Sequence, residues 1–230
     1  MKHLIVYSLY GSIPRYMVGA IKNAVLSQRY PDFDLRFYVG KSVPYSVKST
    51  LRLFKNVELI EMDQDEDERS MFWRFYALAD LNYDYVLVRD VDSRLSDREI
   101  DMHQEFVESG KSFHIIKDHP TGHNYVISGG MLASKKSTFH DIDELISIWD
   151  PKPAYGNDIV FLEHKVWPRI ASDCFIHDEY YNTPGSVKSR TKKKYTLDMV
   201  GAAVNEDDLY IYDNDAETAE RENGSRYHIV

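Results

Sequence analysis

The sequence predicts an α/β fold: a mainly parallel central sheet with helices on both faces. Two observations carry this. Through the first ninety residues, short apolar runs alternate with helical stretches that are apolar on one side only. The apolar runs are also nearly continuous, as expected of strands covered on both faces, and helical crossovers make neighbouring strands parallel. Such crossovers are right-handed, which makes this half of the chain Rossmann-like. A chain of 230 residues also buries enough surface to fold without disulfide or metal.

Taken in order, "HLIVYSLYG" is the first strand. Met17, Ala20, Ile21, Ala24 and Val25 then form a helical stripe that Tyr30-Pro31 ends. "LRFYVG" and "VELIEM" are the second and third strands. A helix beginning near Ser70 carries Met71, Phe72, Phe75, Leu78 and Ala79 on one face, and "YDYVLVRD" is the fourth strand. Ser96-Asp97-Arg98-Glu99 is a capping box that starts another helix. "KSFHIIKD" and "YVISGGMLAS" read as further strands, and a helix follows through Ile142, Leu145, Ile146 and Trp149. Pro151 and Pro153 mark a break, a helix runs from about Asn157 to Trp167, and "DCFIHDEYY" is a late strand. Residues 186–230 are polar and charged, apart from "LDMVGAAV" and "LYIY", and are expected to form a loosely packed extension to a domain of residues 1–185.

Composition narrows the function. The formal net charge of -9 argues against a nucleic-acid binder, whose footprint is basic. The one basic cluster, Lys188, Arg190, Lys192, Lys193 and Lys194, reads as a solvated loop, with phosphate binding as the alternative. Cys174 is the single cysteine, which excludes an internal disulfide; with no signal peptide in evidence, a cytoplasmic location is expected. In that setting Asn223-Gly224-Ser225 is no glycosylation acceptor. No apolar run approaches the ~20 residues of a membrane span.

The chemistry is announced by "YVLVRDVDSRLSDRE". Asp-x-Asp alone means little, since the chain has 23 aspartates and six such pairs. Position separates them. Asp32 and Asp34 precede a strand, whereas ligands of open α/β sheets sit beyond the carboxyl ends of strands. Asp141 and Asp143 lie at a helix start, where residues two apart do not share a face. Asp63, Asp65 and Asp67 belong to the acidic run "DQDEDE", and Asp213 and Asp215 lie in the extension. Asp90 and Asp92 alone end a long apolar strand of the regular series. In extended chain their side chains point the same way, an arrangement suited to Mg²⁺ or Mn²⁺, which takes one or two carboxylates beside water and phosphate. The structural alternative is that both cap the next helix or pair with Arg89 and Arg94.

With this strand order, "RDVDSR", and the later stretches "SGGM", "YGND" and "FIHD", the chain resembles the GT-A-fold, metal-dependent glycosyltransferases that use nucleotide-sugar donors. It is similar in layout to short glycosyltransferase domains of bacterial glycan loci and large DNA viruses, and more distantly to glycogenin-like enzymes. The resemblance covers residues 1–185 and implies a mixed, mainly parallel sheet. It implies a hexosyltransferase-type reaction from a UDP-sugar to a glycan, glycoconjugate or other hydroxyl acceptor. It further implies that Asp92 chelates Mn²⁺ or Mg²⁺, that Asp90 shares the metal or holds the ribose, and that His177 is a third ligand. The nucleoside is then expected over Tyr10-Gly11 and Tyr38-Val39-Gly40, with Arg15 and Arg74 near the donor and Gly130 close to the sugar. Asp158 is the expected catalytic base, with Asp118 as its rival; Asn157-Asp158 replaces the Glu-Asp common in inverting members and leaves the stereochemistry open.

Two other readings remain. A sugar nucleotidyltransferase shares a similar half-fold and metal use, but "LYGSIPRY" lacks its glycine-rich basic loop. A non-catalytic nucleotide- or glycan-binding module is the third.

Overall fold

The computed structural model describes residues 1–149, 156–194 and 198–211. Its strands are β1 (His3–Leu9), β2 (Phe33–Val39), β3 (Val57–Glu61), β4 (Tyr85–Val88), β5 (Phe113–Lys117), β6 (Leu132–Lys135) and β7 (Cys174–Asp178). They form one sheet in the order β3-β2-β1-β4-β6-β5-β7. β6 runs antiparallel to β4 and β5, and every other pairing is parallel. The sheet is therefore mixed and mainly parallel.

Helices α1 (Pro14–Leu26), α2 (Tyr45–Leu51) and α3 (Asp97–Ser109) cover one face, where Met17 and Leu51 share a core with Leu35 and Phe37 of β2 and Phe106 packs on Tyr85 of β4 and His114 of β5. The other face is covered by α4 (Ile142–Ser147), α5 (Asn157–Phe161) and α6 (Trp167–Ile170), the last two joined by a π-helical turn. There Ile142, Phe161 and Ile170 pack on Val86, Val88 and Ile115. Pro14 fits the first turn of α1, where a missing N–H costs nothing. Ser96 caps α3 as its sequence predicts, accepting the Glu99 N–H. The return half of the capping box is replaced: the Glu99 carboxylate pairs with the buried Arg89 guanidinium. Arg89 also donates to the carbonyl of Val88 at 2.7 Å. The arginine before Asp90 is thus committed to joining β4 to α3.

Four stretches differ from the sequence reading. Residues Glu68–Ala79 form a 3₁₀ helix rather than an α-helix, started by Asp67, whose side chain accepts the Arg69 N–H. Its three-residue repeat puts Phe72, Phe75 and Leu78 on one buried face and Met71 and Arg74 on the next, toward a cleft. Of "YVISGGMLAS" only its last three residues join the sheet, in β6 (Leu132–Lys135). Gly129 and Gly130 lie against aspartate side chains instead, so the backbone leaves the ladder there. In α1 the buried side is rotated: Val25 is exposed, and Asn23 is buried in its place. Finally, the extension is not loose where it is described. Met199, Val200, Ala202 and Val204 are buried, Val204 N–H donates to the Asp92 carbonyl at 2.9 Å, and Asp208 pairs with Arg94 at 2.7 Å. Within its apolar "MVGAAV", Val200 packs with Met102 of α3, Ile116 of β5 and Met131.

Candidate active site

A cleft of about 520 Å³ opens at the carboxyl ends of β1 and β4. Its floor is the loop after β4. Asp90 and Asp92 are not in extended chain here: the Ser93 hydroxyl donates to the Asp90 carbonyl at 2.8 Å, which makes a turn. Val91 is buried between them against α1. Asn23 locks that turn, donating to the carbonyls of Val91 and Ser93 at 3.2 and 2.9 Å and accepting the Leu95 N–H at 3.0 Å. Gly19 allows the approach, since a Cβ there would strike the Val91 carbonyl. Nothing in the apolar stripe of α1 announces this role for Asn23.

Both aspartates face the cleft, and neither pairs with Arg89 or Arg94. Asp90 bonds Arg74, whose other amino group donates to Asp158 at 2.9 Å. Asp92 lies 3.7 Å from Arg15. Burial, followed by the charge of Asp90, pushes the Asp92 carboxyl up to about 6, against the pull of Arg15. Burial likewise raises Asp158, and Arg74 opposes it. Asp158 sits in the first turn of α5, after Gly156 at φ 83°. Gly129 and Gly130 make room for the acids. A Cβ on Gly129 would collide with the Asp158 carboxylate and stand 2.6 Å from Arg74 Nη2; one on Gly130 would meet the Asp90 carboxylate. The structure therefore brings Asp90, Asp92, Asp158, Arg15 and Arg74 together around one space, with Gly129 on its lining and Gly130 packed against Asp90.

Tyr10 and Gly11 line the same cleft and continue into a second hollow of about 670 Å³ that includes Lys41, Ser42 and Glu66. Tyr10 rests edge-on against Trp73, ring centres 5.9 Å apart. Gly11 takes φ 74°, open to glycine at no steric cost. Glu66 accepts from the N–H of Gly11 at 3.2 Å and of Ser42 at 2.7 Å. Sequence reading placed Glu66 in a solvated acidic run; its contact across the β1 and β2 ends has no local signal.

Two expected residues are elsewhere. His177 is wholly buried between His114, at 2.8 Å, and Glu105 of α3, at 3.3 Å. β7 is the third strand beyond β4 in the sheet, roughly 14 Å away at ~4.8 Å per strand, so His177 does not share a ligand with Asp92. Asp118 is also 0 % exposed, bonded to Arg98, to the Val200 N–H at 2.8 Å and to Lys193 at 2.9 Å. It ties the extension to α3 and does not line the cleft. The basic cluster is also occupied: Lys193 by Asp118, Arg190 by Glu105 and Glu108, and Lys194 by Asp97.

Among the described residues no group of three or more histidine, cysteine or acidic side chains has the geometry of a metal site. The donor set that is present still fits a hard cation. Two carboxylates face one space; burial first, and their mutual repulsion second, raise Asp92, and a divalent ion would offset both.

No protein-family model and no curated protein sequence matches the chain. Solved structures do. A glycosyltransferase involved in glycosylating the major capsid of PBCV-1 aligns at TM-score 0.52 and 16 % identity, over 77 % of this chain and 82 % of that one. The fold is GT-A. S. aureus TarS 1–349 in complex with UDP-GlcNAc aligns at TM-score 0.53 and 12 % identity, over 84 % of this chain and 60 % of TarS 1–349. A Pyrobaculum calidifontis mannosyltransferase in complex with GDP-Man and Mn²⁺ aligns at 0.50 and 11 %, over 84 % and 58 %. A fourth neighbour carries other chemistry: the 4-diphosphocytidyl-2C-methyl-D-erythritol synthase of Anaerococcus prevotii, at 0.51 and 14 %, over 83 % and 92 %. No helix among the described residues is long and apolar enough to cross a membrane.

Proposed function

We propose that this GT-A chain is a metal-dependent glycosyltransferase that moves a sugar from a nucleoside-diphosphate donor, a UDP-sugar first of all, to a hydroxyl of a glycan or glycoconjugate. One observation carries this: the Asp90–Asp92 pair and Asp158, distant in sequence, converge with Arg74 on a single cleft at the strand ends. A nucleotide sugar bound to TarS and GDP-Man with Mn²⁺ bound to the mannosyltransferase support the donor class and the metal.

In this reading Asp90 and Asp92 hold Mn²⁺ or Mg²⁺, which supplies Lewis-acid stabilisation of the departing diphosphate. Tyr10 and Gly11 take the nucleoside, and the hollow beside them extends that end. Arg15, half-buried at the start of α1, adds a fixed positive charge beside the diphosphate. Asp158 accepts the acceptor hydroxyl proton. Burial raises its proton affinity, as a general base needs, and Arg74 opposes that rise. Residues 1–185 are the catalytic unit, with the extension closing one wall through Gly201 and Ala203.

The nucleotidyltransferase reading is favoured by the synthase neighbour and is separated by product. The full chain is incubated with UDP-GlcNAc, UDP-glucose or GDP-mannose, with and without Mn²⁺. Slow release of nucleoside diphosphate from one donor, only with metal and lost in Asp92→Ala at unchanged circular dichroism, is expected. Pyrophosphate release from a nucleoside triphosphate and a sugar phosphate overturns the proposal in favour of the second reading. Neither product, with Asp92→Ala binding donor as well as the wild type, overturns both.

A further inference from the structure

The cleft has one wall that neither the metal site nor the base uses. It is the loop after β5, residues His119 to His123, facing Gly201 of the extension. His123 is 6 % exposed, and it lines the cleft. Its Nδ1 lies 3.1 Å from the backbone nitrogen of Asp118. A backbone N–H can only donate, so Nδ1 is the acceptor and the ring proton of the neutral imidazole sits on Nε2. That Nε2–H has no protein partner among the described residues. It is a donor that opens on the cleft with no protein group bonded to it, on a ring that is otherwise enclosed.

The surroundings hold the ring in this state. Burial, and then the neighbouring His119, 5.6 Å away between ring centres, depress the His123 imidazole to about 3, so it is neutral at any working pH. With Nε2 protonated and Nδ1 engaged, the ring has no lone pair to offer a metal and none to serve as a base. What it offers is one fixed N–H. The packing is close: a Cβ on Gly201 would lie 3.1 Å from the His123 Cε1 and strike Met131.

A fixed neutral donor suits a hydroxyl better than a phosphate. The phosphate end of the cleft already has the guanidinium of Arg15, and a dianion is held by charge. A sugar hydroxyl both accepts and donates. Its oxygen can accept from the His123 Nε2–H while its own O–H donates to a carboxylate, and the cleft carries Asp90, 45 % exposed at its side chain, and Asp158. His123 does not line the Gly11–Ser42–Glu66 end, which keeps it away from the place assigned to the nucleoside.

We propose that His123 reads the transferred sugar, its Nε2–H donating to a hydroxyl oxygen of the donor sugar and not to the nucleoside diphosphate. This rests on the glycosyltransferase reading, and the test separates the two. Calorimetry on the full chain with Mn²⁺ compares UDP-GlcNAc, UDP-glucose and GDP-mannose with UDP and GDP alone. His123→Phe is expected to weaken the preferred nucleotide sugar about 3- to 10-fold, the worth of one neutral hydrogen bond, and to leave the matching diphosphate unchanged. His123→Gln, whose amide carries an N–H to a similar place, restores most of the loss. A purely structural role would shift both ligands alike. Should His123→Phe not fold, long-range ¹⁵N–¹H spectra of the wild type decide: Nε2 is protonated from pH 5 to 8 and shifts on adding the nucleotide sugar but not the diphosphate. Equal losses for both ligands, or an Nε2 resonance blind to the sugar, overturn the inference while donor binding by the wild type upholds the transferase. If the wild type binds none of the three nucleotide sugars, both fall.

Discussion

Replacing Arg74 by Met tests whether this arginine is held for charge or for packing. Its side chain is 7 % exposed and spans two carboxylates, Asp90 at 45 % and Asp158 at 9 % side-chain exposure. Methionine keeps most of the volume and removes the charge. Water screens Asp90, so its share of the loss is small. Asp158 is left as a buried, uncompensated carboxylate, which places the cost at neutral pH at about 3 kcal/mol. For a domain of this length that corresponds to a fall of roughly 6–12 °C in Tm. The pH dependence carries the argument. Asp158 is already raised by burial and lowered by Arg74, so removing Arg74 raises it further. A carboxyl whose folded value lies above its unfolded value of 3.8 binds more protons when folded. Its penalty is absent below that unfolded value and grows as pH rises to the folded one. The loss in Arg74→Met is therefore largest at pH 8 and shrinks toward pH 5. Urea unfolding of both proteins at pH 5, 6.5 and 8, followed by circular dichroism, measures it. A loss that is the same at all three pH values would refute the electrostatic account and leave only packing.

Three further outcomes are expected. Burial holds His103 and His114 well below 6.5, so unfolding takes up protons on acidification; stability is full above pH ~6.5 and falls below it, by about 1.4 kcal/mol per pH unit for each ring, and denaturation of His103→Phe at pH 5 and 7 should show a shallower slope. Gly129→Ala drives a methyl into the Asp158–Arg74 pair and should cost about 1–3 kcal/mol of stability together with most nucleoside diphosphate release, whereas a variant of wild-type activity would mean that Asp158 is not held where the chemistry happens. Val200→Asp puts a charge in a site 1 % exposed and should cost about 3 kcal/mol or more in urea; an unchanged midpoint would show that the extension is not part of the cooperative unit.

The readable part of this protein lies in runs of neighbouring residues. The burial of "HLIVYSL" and "YVLV" is visible because a strand covered on both faces has no polar alternation to hide it. Asp90 and Asp92 stood out because a carboxylate pair at the end of such a run has no local structural reason to be there. Where the reading failed, the deciding contact was distant. "MFWRFYALA" has apolar spacings that satisfy three- and four-residue periods alike, and packing against the sheet chose 3₁₀. "VISGG" has the composition of a strand, but its glycines answer to Asp90 and Asp158, forty and twenty-nine residues away.

By itself, then, the sequence determined the helix-strand alternation, a core on each side of the sheet and the acidic tip after β4, since each depends on side chains within a turn or two of one another. Tertiary structure alone decided that Arg74 joins Asp90 to Asp158, that β7 carries His177 away from the cleft, that Met199, Val200, Ala202 and Val204 are core, and that His123 turns an unbonded N–H toward the space where a sugar would lie. Those choices depend on strand order and on which buried polar groups find partners across the sheet, and neither leaves a periodicity in the chain.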